Sequence, residues 1–496
     1  MKALPERIVI LGGGTAGWMA ANLIAHRWGG ARVTLAESPD IGIIGVGEGS
    51  TPQLKSLFDT LGIAEDEWMP RCNATYKNGI RFRGWSERPG FESYFHPFPS
   101  APDGELLPIF AYNTRARRTG RDVWAHPDRY FLPALLASER RGPIAHSAGA
   151  PWTSYGYHFD AHLVGAFLRD HAKGLGVTHL ERKIVDIALG ENGDVRHLVA
   201  EGGEAIAGDL FIDSSGFRGA IVQETLGEPF VTFASNLFNN RAVVLPTPAD
   251  PDGTNAQTIS TALSAGWAWD IPLTNRTGNG YVYASDFIED DAAEMELRTR
   301  LGLLDSPVEA RRLAMKVGRV RNAWVGNALA VGLSQGFVEP LEATALHVVQ
   351  TTVEQFLDAW DDQDRDAFNA EIAARLEGIR DYIVCHYRVN RRSDTDYWRA
   401  NAANQDLSDS LKAILTCWFR GGDLNAEIAE QGIARFYAPL SWHCLLAGYG
   451  TFPDDAKIAP PGPDIKAFDL ARIDEFMHRA AEDFADHKTL LGRMTA

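Results

Sequence analysis

The feature that most constrains this chain lies at its start. Residues 7–11, RIVIL, read as a buried parallel strand, and GGGTAGW follows at once. The next residues, MAANLIAHRW, carry helical periodicity, and 32–36, RVTLA, read as a second strand. Gly12, Gly14 and Gly17 therefore form a GxGxxG turn between a strand and a helix. In such a turn the first glycine permits a tight bend, the second lets the backbone approach a ligand, and the third lets the helix pack close to the strand. Backbone amides and the helix dipole at that point suit a pyrophosphate. Glu37 ends the second strand, 20 residues after Gly17 (37 − 17 = 20), where a carboxylate meets ribose hydroxyls. Together these residues predict a dinucleotide-binding βαβ unit in an α/β fold.

Two later segments favour FAD over NAD. Asp213-Ser214-Ser215-Gly216-Phe217-Arg218-Gly219 follows an apolar run far downstream, and FAD proteins of the two-dinucleotide-fold type return there to close the flavin site. Gly326-Asn327-Ala328 before Val331-Gly332-Leu333 is similar to the stretch that holds the flavin end. The fold predicted is a two-dinucleotide-fold-type FAD module, like that of flavin monooxygenases, with a mainly helical C-terminal substrate module. The expected division is 1–345 and 346–496, with an aromatic, loop-rich insertion near 81–154. Residues 155–173 read as a helix, 230–290 as β-rich, and the pattern past 345 as mostly helical.

A chain of 496 residues is too long for one simple core. Its net charge of −17 argues against nucleic acid and against an anionic membrane surface. No apolar stretch reaches membrane-spanning length and the N-terminus lacks a signal peptide's apolar run, so a cytoplasmic protein, monomer or homodimer, is expected. Cys72, Cys385, Cys417 and Cys444 show neither a CxxC pair nor zinc-site spacing, so no metal is expected.

Four further segments separate the chain from an ordinary flavin monooxygenase: Gly266-Trp267-Ala268-Trp269-Asp270-Ile271-Pro272, Thr75-Tyr76-Lys77-Asn78-Gly79-Ile80, Gly336 to Leu346 with Pro340-Leu341-Glu342-Ala343-Thr344 inside it, and Gly45-Val46-Gly47-Glu48-Gly49-Ser50-Thr51-Pro52. Taken together they resemble the flavin-dependent tryptophan halogenases over residues 7 to about 400. The tryptophan segment matches the family's WxWxIP signature, whose rings are thought to keep substrate away from the flavin. Lone tryptophans at i and i+2 on a strand could equally be packing.

The resemblance implies that reduced FAD, oxygen and chloride or bromide yield hypohalous acid, which reaches Lys77 and halogenates an indole-type ring. Lys77 would hold the electrophile, by hydrogen bond or as a haloamine. Glu342 would polarise it or take the ring proton. Backbone amides of Thr344 and Ala345 match the halide site, although Ala343 and Ala345 replace the family's serine and glycine. FAD contacts are expected from Gly12, Gly14, Thr15, Ala16, Gly17, Glu37, Glu48, Val185, Asp213, Gly216, Leu333 and Leu346. The glycine-rich 45–52 segment resembles the family's strap between the flavin and halogenation sites.

His96 and Phe98 match residues beside the substrate ring, and Tyr397-Trp398 match the aromatic pair that packs on it. Members that use free tryptophan carry a Tyr-Tyr pair followed by a glutamate, whereas this chain has His386-Tyr387 and Ser393. Indole or a larger indole-bearing molecule is therefore expected over free L-tryptophan. No second GxGxxG is present for a nicotinamide, so a separate flavin reductase is expected as transient partner. A flavin-dependent monooxygenase or reductase and a non-catalytic flavin carrier are the alternatives, and product mass in the presence of halide separates all of them.

Overall fold

The structure is a computed structural model that describes residues 3–40, 47–147 and 149–494. Gly45 and Val46 of the expected strap lie outside these residues. The chain groups into two compact units, each assembled from separated segments. The first comprises Met1–Ala74, Phe159–Ala234 and Met315–Glu377. The second comprises Thr75–His158, Ser235–Ala314 and Gly378–Ala496.

The first unit is built on a six-stranded sheet. Its order is Trp324–Val325, Ala328–Ala330, Leu210–Asp213, Arg7–Leu11, Arg32–Glu37, Thr178–Glu181. Arg7–Leu11 pairs parallel with strands on both sides, Val9 opposite Phe211 and Thr34. Ile8 to Leu11 are all buried, as expected where helices cover both faces of a parallel sheet. The helix Thr15–Arg27 follows the glycine turn. Apolar side chains of several strands, among them Val9, Leu11, Ala36, Phe211 and Ala330, share one buried cluster.

The second unit carries a seven-stranded sheet. Its order is Arg311–Ala314, Arg241–Pro248, Arg276–Tyr283, Gly266–Pro272, Thr258–Leu263, Gly79–Arg83, Ser93–Pro97. All neighbours are antiparallel except Thr258–Leu263 with Gly79–Arg83. The helix Asp290–Leu301 places Ala293 and Leu297 against Val243, Leu245, Ala268 and Tyr281 of that sheet. Helices from Asp396 onward complete the unit.

Two local readings of the sequence are corrected. Residues 155–173 are not one helix: Gly156–Phe159 is a strand and the helix is Ala161–Gly174. Asp160 makes the break, its carboxylate accepting from the His162 and Leu163 amides. Such a cap contributes about 1 kcal/mol. The aromatic insertion near 81–154, expected to be loop-rich, contains the helix Asp103–Arg118. Its inner face mixes Leu106 and Phe110 with buried Asn113 and Thr114, which breaks the apolar period. Asn113 is satisfied by donating to the Tyr130 hydroxyl at 2.9 Å.

All four cysteines are free. Among the described residues no helix is long and apolar enough to cross a membrane.

Candidate active site

In the first unit the glycine turn does what the spacing requires. Gly12 has φ +111°, a region that favours glycine, and a Cβ there would meet the Ser214 carbonyl at 2.3 Å. A Cβ on Gly17 would meet the Gly12 carbonyl oxygen at 2.0 Å, so the helix packs directly on the turn. Gly14 differs, because nothing lies within 4 Å of its would-be Cβ. Gly14 is also the N-cap of Thr15–Arg27, with no side-chain cap and no acidic residue in the first turn. An open glycine and uncapped helix amides form a cradle suited to the pyrophosphate of FAD. Thr15 and Ala16 open that helix.

Glu37 leans over this turn. Its Oε1 lies 2.7 Å from His179 Nε2, and a Cβ on Gly13 would meet its Oε2 at 1.6 Å. Asp213 is fully buried and accepts from the amides of Ser215, Ile221 and Val222 and from the Ser215 hydroxyl. Its place is therefore to shape the turn that carries Gly216, φ +76°. Gly332 packs within 2.8 Å of the Ala16 methyl group, counted from its would-be Cβ, which brings Leu333 to the start of the first helix. Burial pushes the Glu48 carboxyl up to about 7. Val185 is 52% exposed on the three-stranded sheet Ile184–Leu189, Val195–Ala200, Ala205–Ala207.

The helix Ala345–Ala359 also starts in the first unit, capped by Thr344 without a side-chain bond and without acid in its first turn. Its opening amides are thus available to an anion. Leu346 is buried there, and His347 is held down to about 4 by burial and by Arg375, so it carries no charge at neutral pH. Glu342, 4% exposed, ends the short turn Pro340–Glu342. Ala343 follows at φ +56°, a left-handed conformation unusual for alanine.

In the second unit Lys77 is fully buried on the strand Thr75–Lys77. Its Nζ lies 5.4 Å from the centre of the Phe98 ring, within cation–π range. His96 is nearly buried and its Nε2 is 3.0 Å from the Ser441 hydroxyl. Trp267 and Trp269 are buried on Gly266–Pro272, their rings 6.0 Å apart and tilted by 56°. Trp269 faces Gly280 across the ladder, and a Cβ on Gly280 would meet its indole at 2.1 Å. Nothing in the local residue pattern marks Gly280 as the position that makes room for this ring.

The aromatic pair Tyr397-Trp398 sits on the helix Asp396–Ala403 and is almost fully buried. Asn239 ties Tyr397 to Tyr387: it donates to the Tyr387 hydroxyl at 2.8 Å and accepts from that of Tyr397 at 2.9 Å. Trp85 packs edge-on against Trp398 at 5.1 Å and stacks with Tyr449 at 5.9 Å. His386 Nδ1 lies 2.8 Å from the Tyr449 hydroxyl. Asn239 and Trp85 escaped the sequence reading because their partners lie at least 148 positions away and neither sits in a motif.

Comparison with known proteins identifies the family. The family described as tryptophan halogenase matches residues 7–460. The tryptophan 6-halogenase SttH of Streptomyces toxytricini is 36% identical over 501 residues, 94% of each chain. The tryptophan 7-halogenase RebH of Lentzea aerocolonigenes is 35% identical over 485 residues, covering 92% of this chain and 91% of that one. Among solved structures, the tryptophan C-6 flavin-dependent halogenase (chlorinase) of taromycin biosynthesis superposes with a TM-score of 0.85 at 32% identity, over 99% of this chain and all of that one. The chain is therefore a member of the tryptophan halogenase family of flavin-dependent halogenases.

Proposed function

We propose that this enzyme halogenates an indole or a larger indole-bearing molecule, with Lys77 holding the electrophilic halogen. The observation that carries this reading is the fully buried ammonium of Lys77 against the Phe98 ring. A lysine without function is normally solvated, and burying one costs several kcal/mol. When bound, FAD in its reduced form supplies the two-electron chemistry by which oxygen and halide give hypohalous acid. Gly12, Gly14, Thr15, Ala16 and Gly17 would hold its pyrophosphate, with Glu37 toward the ribose and Gly216, Leu333 and Leu346 along the rest.

The remaining work falls to this chain's side chains. The amides of Thr344 and Ala345 hold chloride or bromide. Lys77 hydrogen-bonds hypohalous acid as an ammonium, or as the neutral amine attacks its halogen to give a haloamine and water, and presents the halogen to the ring carbon. Glu342 polarises the electrophile or removes the ring proton. His96 and Phe98 flank the ring on the lysine side, and Tyr387, Tyr397 and Trp398 form an aromatic wall. Reduced flavin would come from a separate reductase.

The preference for a substrate without a free ammonium has its own support. The Tyr387 hydroxyl is engaged by Asn239, and Ser393 stands at the place where members that use free tryptophan carry a glutamate. Both carboxylates of the following turn are paired, Asp394 with Arg392 and Asp396 with Arg399. A missing charge-assisted bond to an ammonium removes about 1.5–3 kcal/mol.

The test is a competition between indole and L-tryptophan with reductase, oxygen and bromide or chloride, followed by mass spectrometry. A halogen isotope pattern on indole is expected at the higher specificity constant. Preferential halogenation of L-tryptophan overturns the substrate, and an oxygen added without halogen overturns the activity. Glu342→Gln is expected to slow turnover by about 10²–10⁴-fold, the usual range for a general base. A rate within a few-fold of the parent would leave Glu342 as a structural residue of the Pro340–Glu342 turn only.

A further inference from the structure

The strand that carries Lys77 is held by two histidines that the mechanism above does not use. It pairs antiparallel with Gly156–Phe159, Thr75 opposite His158 and Lys77 opposite Gly156. His158 is fully buried. Its Nδ1 lies 3.0 Å from the Thr75 hydroxyl and its Nε2 2.9 Å from the Thr258 hydroxyl. The Thr75 hydroxyl donates to the Pro272 carbonyl at 2.7 Å, so toward His158 it offers only a lone pair. Nδ1 must then carry the proton, and Nε2 accepts from Thr258.

The second histidine comes from the far end of the chain. The Tyr76 amide donates to His487 Nε2 at 3.2 Å. His487 Nδ1 lies 2.9 Å from the Thr254 carbonyl, which can only accept. His487 is therefore also the Nδ1–H tautomer. Burial holds both imidazoles neutral: His487 is pushed down to about 4, and His158 falls well below its ordinary value through burial and the nearby Lys77 charge. Each histidine thus joins the lysine strand to residues 254–272, the stretch that ends in the paired tryptophans.

We propose that His158 and His487 are positioning residues for Lys77, two neutral imidazoles that fix its strand against the 254–272 segment. The physical argument is geometric. Lys77 sits on a three-residue strand, and a short strand is held in place only by what flanks it. His158 grips Thr75 through its hydroxyl, and His487 grips Tyr76 through its amide. Loss of either lets the Lys77 backbone shift, and a displacement near 1 Å at a reacting group can cost about 100-fold. The inference rests on the reading of Lys77 as the halogen carrier.

The experiment compares the parent with His487→Ala, His487→Gln, Thr258→Val and Lys77→Ala, each as the flavin-loaded protein with reductase, oxygen, bromide and indole. The readouts are product formed per reduced flavin oxidised, KM for indole, flavin affinity and thermal midpoint. His487→Ala and Thr258→Val are expected to lower the product yield per flavin by about 10-fold or more. Flavin affinity and KM should stay within about two-fold. His487→Gln should recover most of the yield, because its amide oxygen can accept from Tyr76. Long-range ¹H–¹⁵N spectra of histidine-labelled protein should show Nδ1 protonated and Nε2 bare at both residues, independently of turnover.

Parental yield in both His487→Ala and Thr258→Val overturns the proposal, as does equal loss in His487→Ala and His487→Gln. An Nε2–H tautomer at either histidine overturns it as well. Lys77→Ala separates this from failure of the underlying reading. If Lys77→Ala keeps its product, the lysine assignment fails. If Lys77→Ala loses product while the histidine series does not, only the positioning role fails.

Discussion

The glycine turn and the lysine strand solve opposite problems. Residues 12–17 would bind through backbone, so their requirement is empty space: Gly14 has nothing within 4 Å of a would-be Cβ. Residues 75–77 would act through one side chain, so their requirement is enclosure, and Thr75, Tyr76 and Lys77 are all buried. The turn is made by neighbours in sequence, with Glu37 and Ser214 added. The strand is held by His158, Thr258, Pro272 and His487, up to 411 positions away. A backbone site can be written in a few consecutive glycines. A buried cation needs walls that no short segment contains.

This contrast is open to direct attack. Lys77→Ala should abolish halogenated product while flavin oxidation and peroxide release continue, measured by product mass beside oxygen uptake. Equal product from variant and parent would remove the lysine from the chemistry and leave the strand as packing only.

Within the turn, two glycines should fail in different ways. Gly14→Val fills open space, so flavin affinity should fall by about 10-fold or more while the thermal midpoint of the flavin-free protein holds. Gly12→Ala forces a Cβ onto the Ser214 carbonyl at a φ that alanine resists, so the flavin-free protein itself should melt lower, by about 1–3 kcal/mol of stability. Differential calorimetry with and without flavin distinguishes them. The same response from both variants would erase the distinction between a binding glycine and a packing glycine.

The smallest effect concerns acid. His487 has a folded pKa of about 4, below its ordinary value. An unfolded chain binds the proton first as pH falls, so the stability from burying His487 neutral is full above about pH 6.5 and is lost as pH falls toward 4. Urea midpoints at pH 7 and pH 5 should therefore converge in His487→Gln relative to the parent. An unchanged pH dependence would mean that this histidine is not held neutral by its site.

The two sites were unequally legible before folding. The strand, turn and acid at 7–37 could be read from spacing, and the structure places Gly12, Gly14, Gly17 and Glu37 around one turn. Lys77 was found only through the resemblance of its segment to a family, because nothing in composition marks a lysine as buried. Trp267 and Trp269 were visible as a pair, but the glycine that admits Trp269 was not. The aromatic pair Tyr397-Trp398 was visible too, whereas Asn239 and Trp85, which engage it, were hidden. The helix Asp103–Arg118 was missed because buried Asn113 and Thr114 disguise its inner face.

By itself the sequence determined what depends on neighbours within a few turns of chain. That covers the parallel strands and the glycine turn with its uncapped helix start, since backbone geometry there follows from local residue choice. Only the tertiary structure decided what depends on distant residues. It wove separated segments into each of two units, set the Nδ1–H tautomers of His158 and His487, and committed the hydroxyls of Tyr387 and Tyr397 to Asn239. The physical reason is that a buried polar group must find its partner wherever the fold supplies one, and sequence distance does not limit that choice.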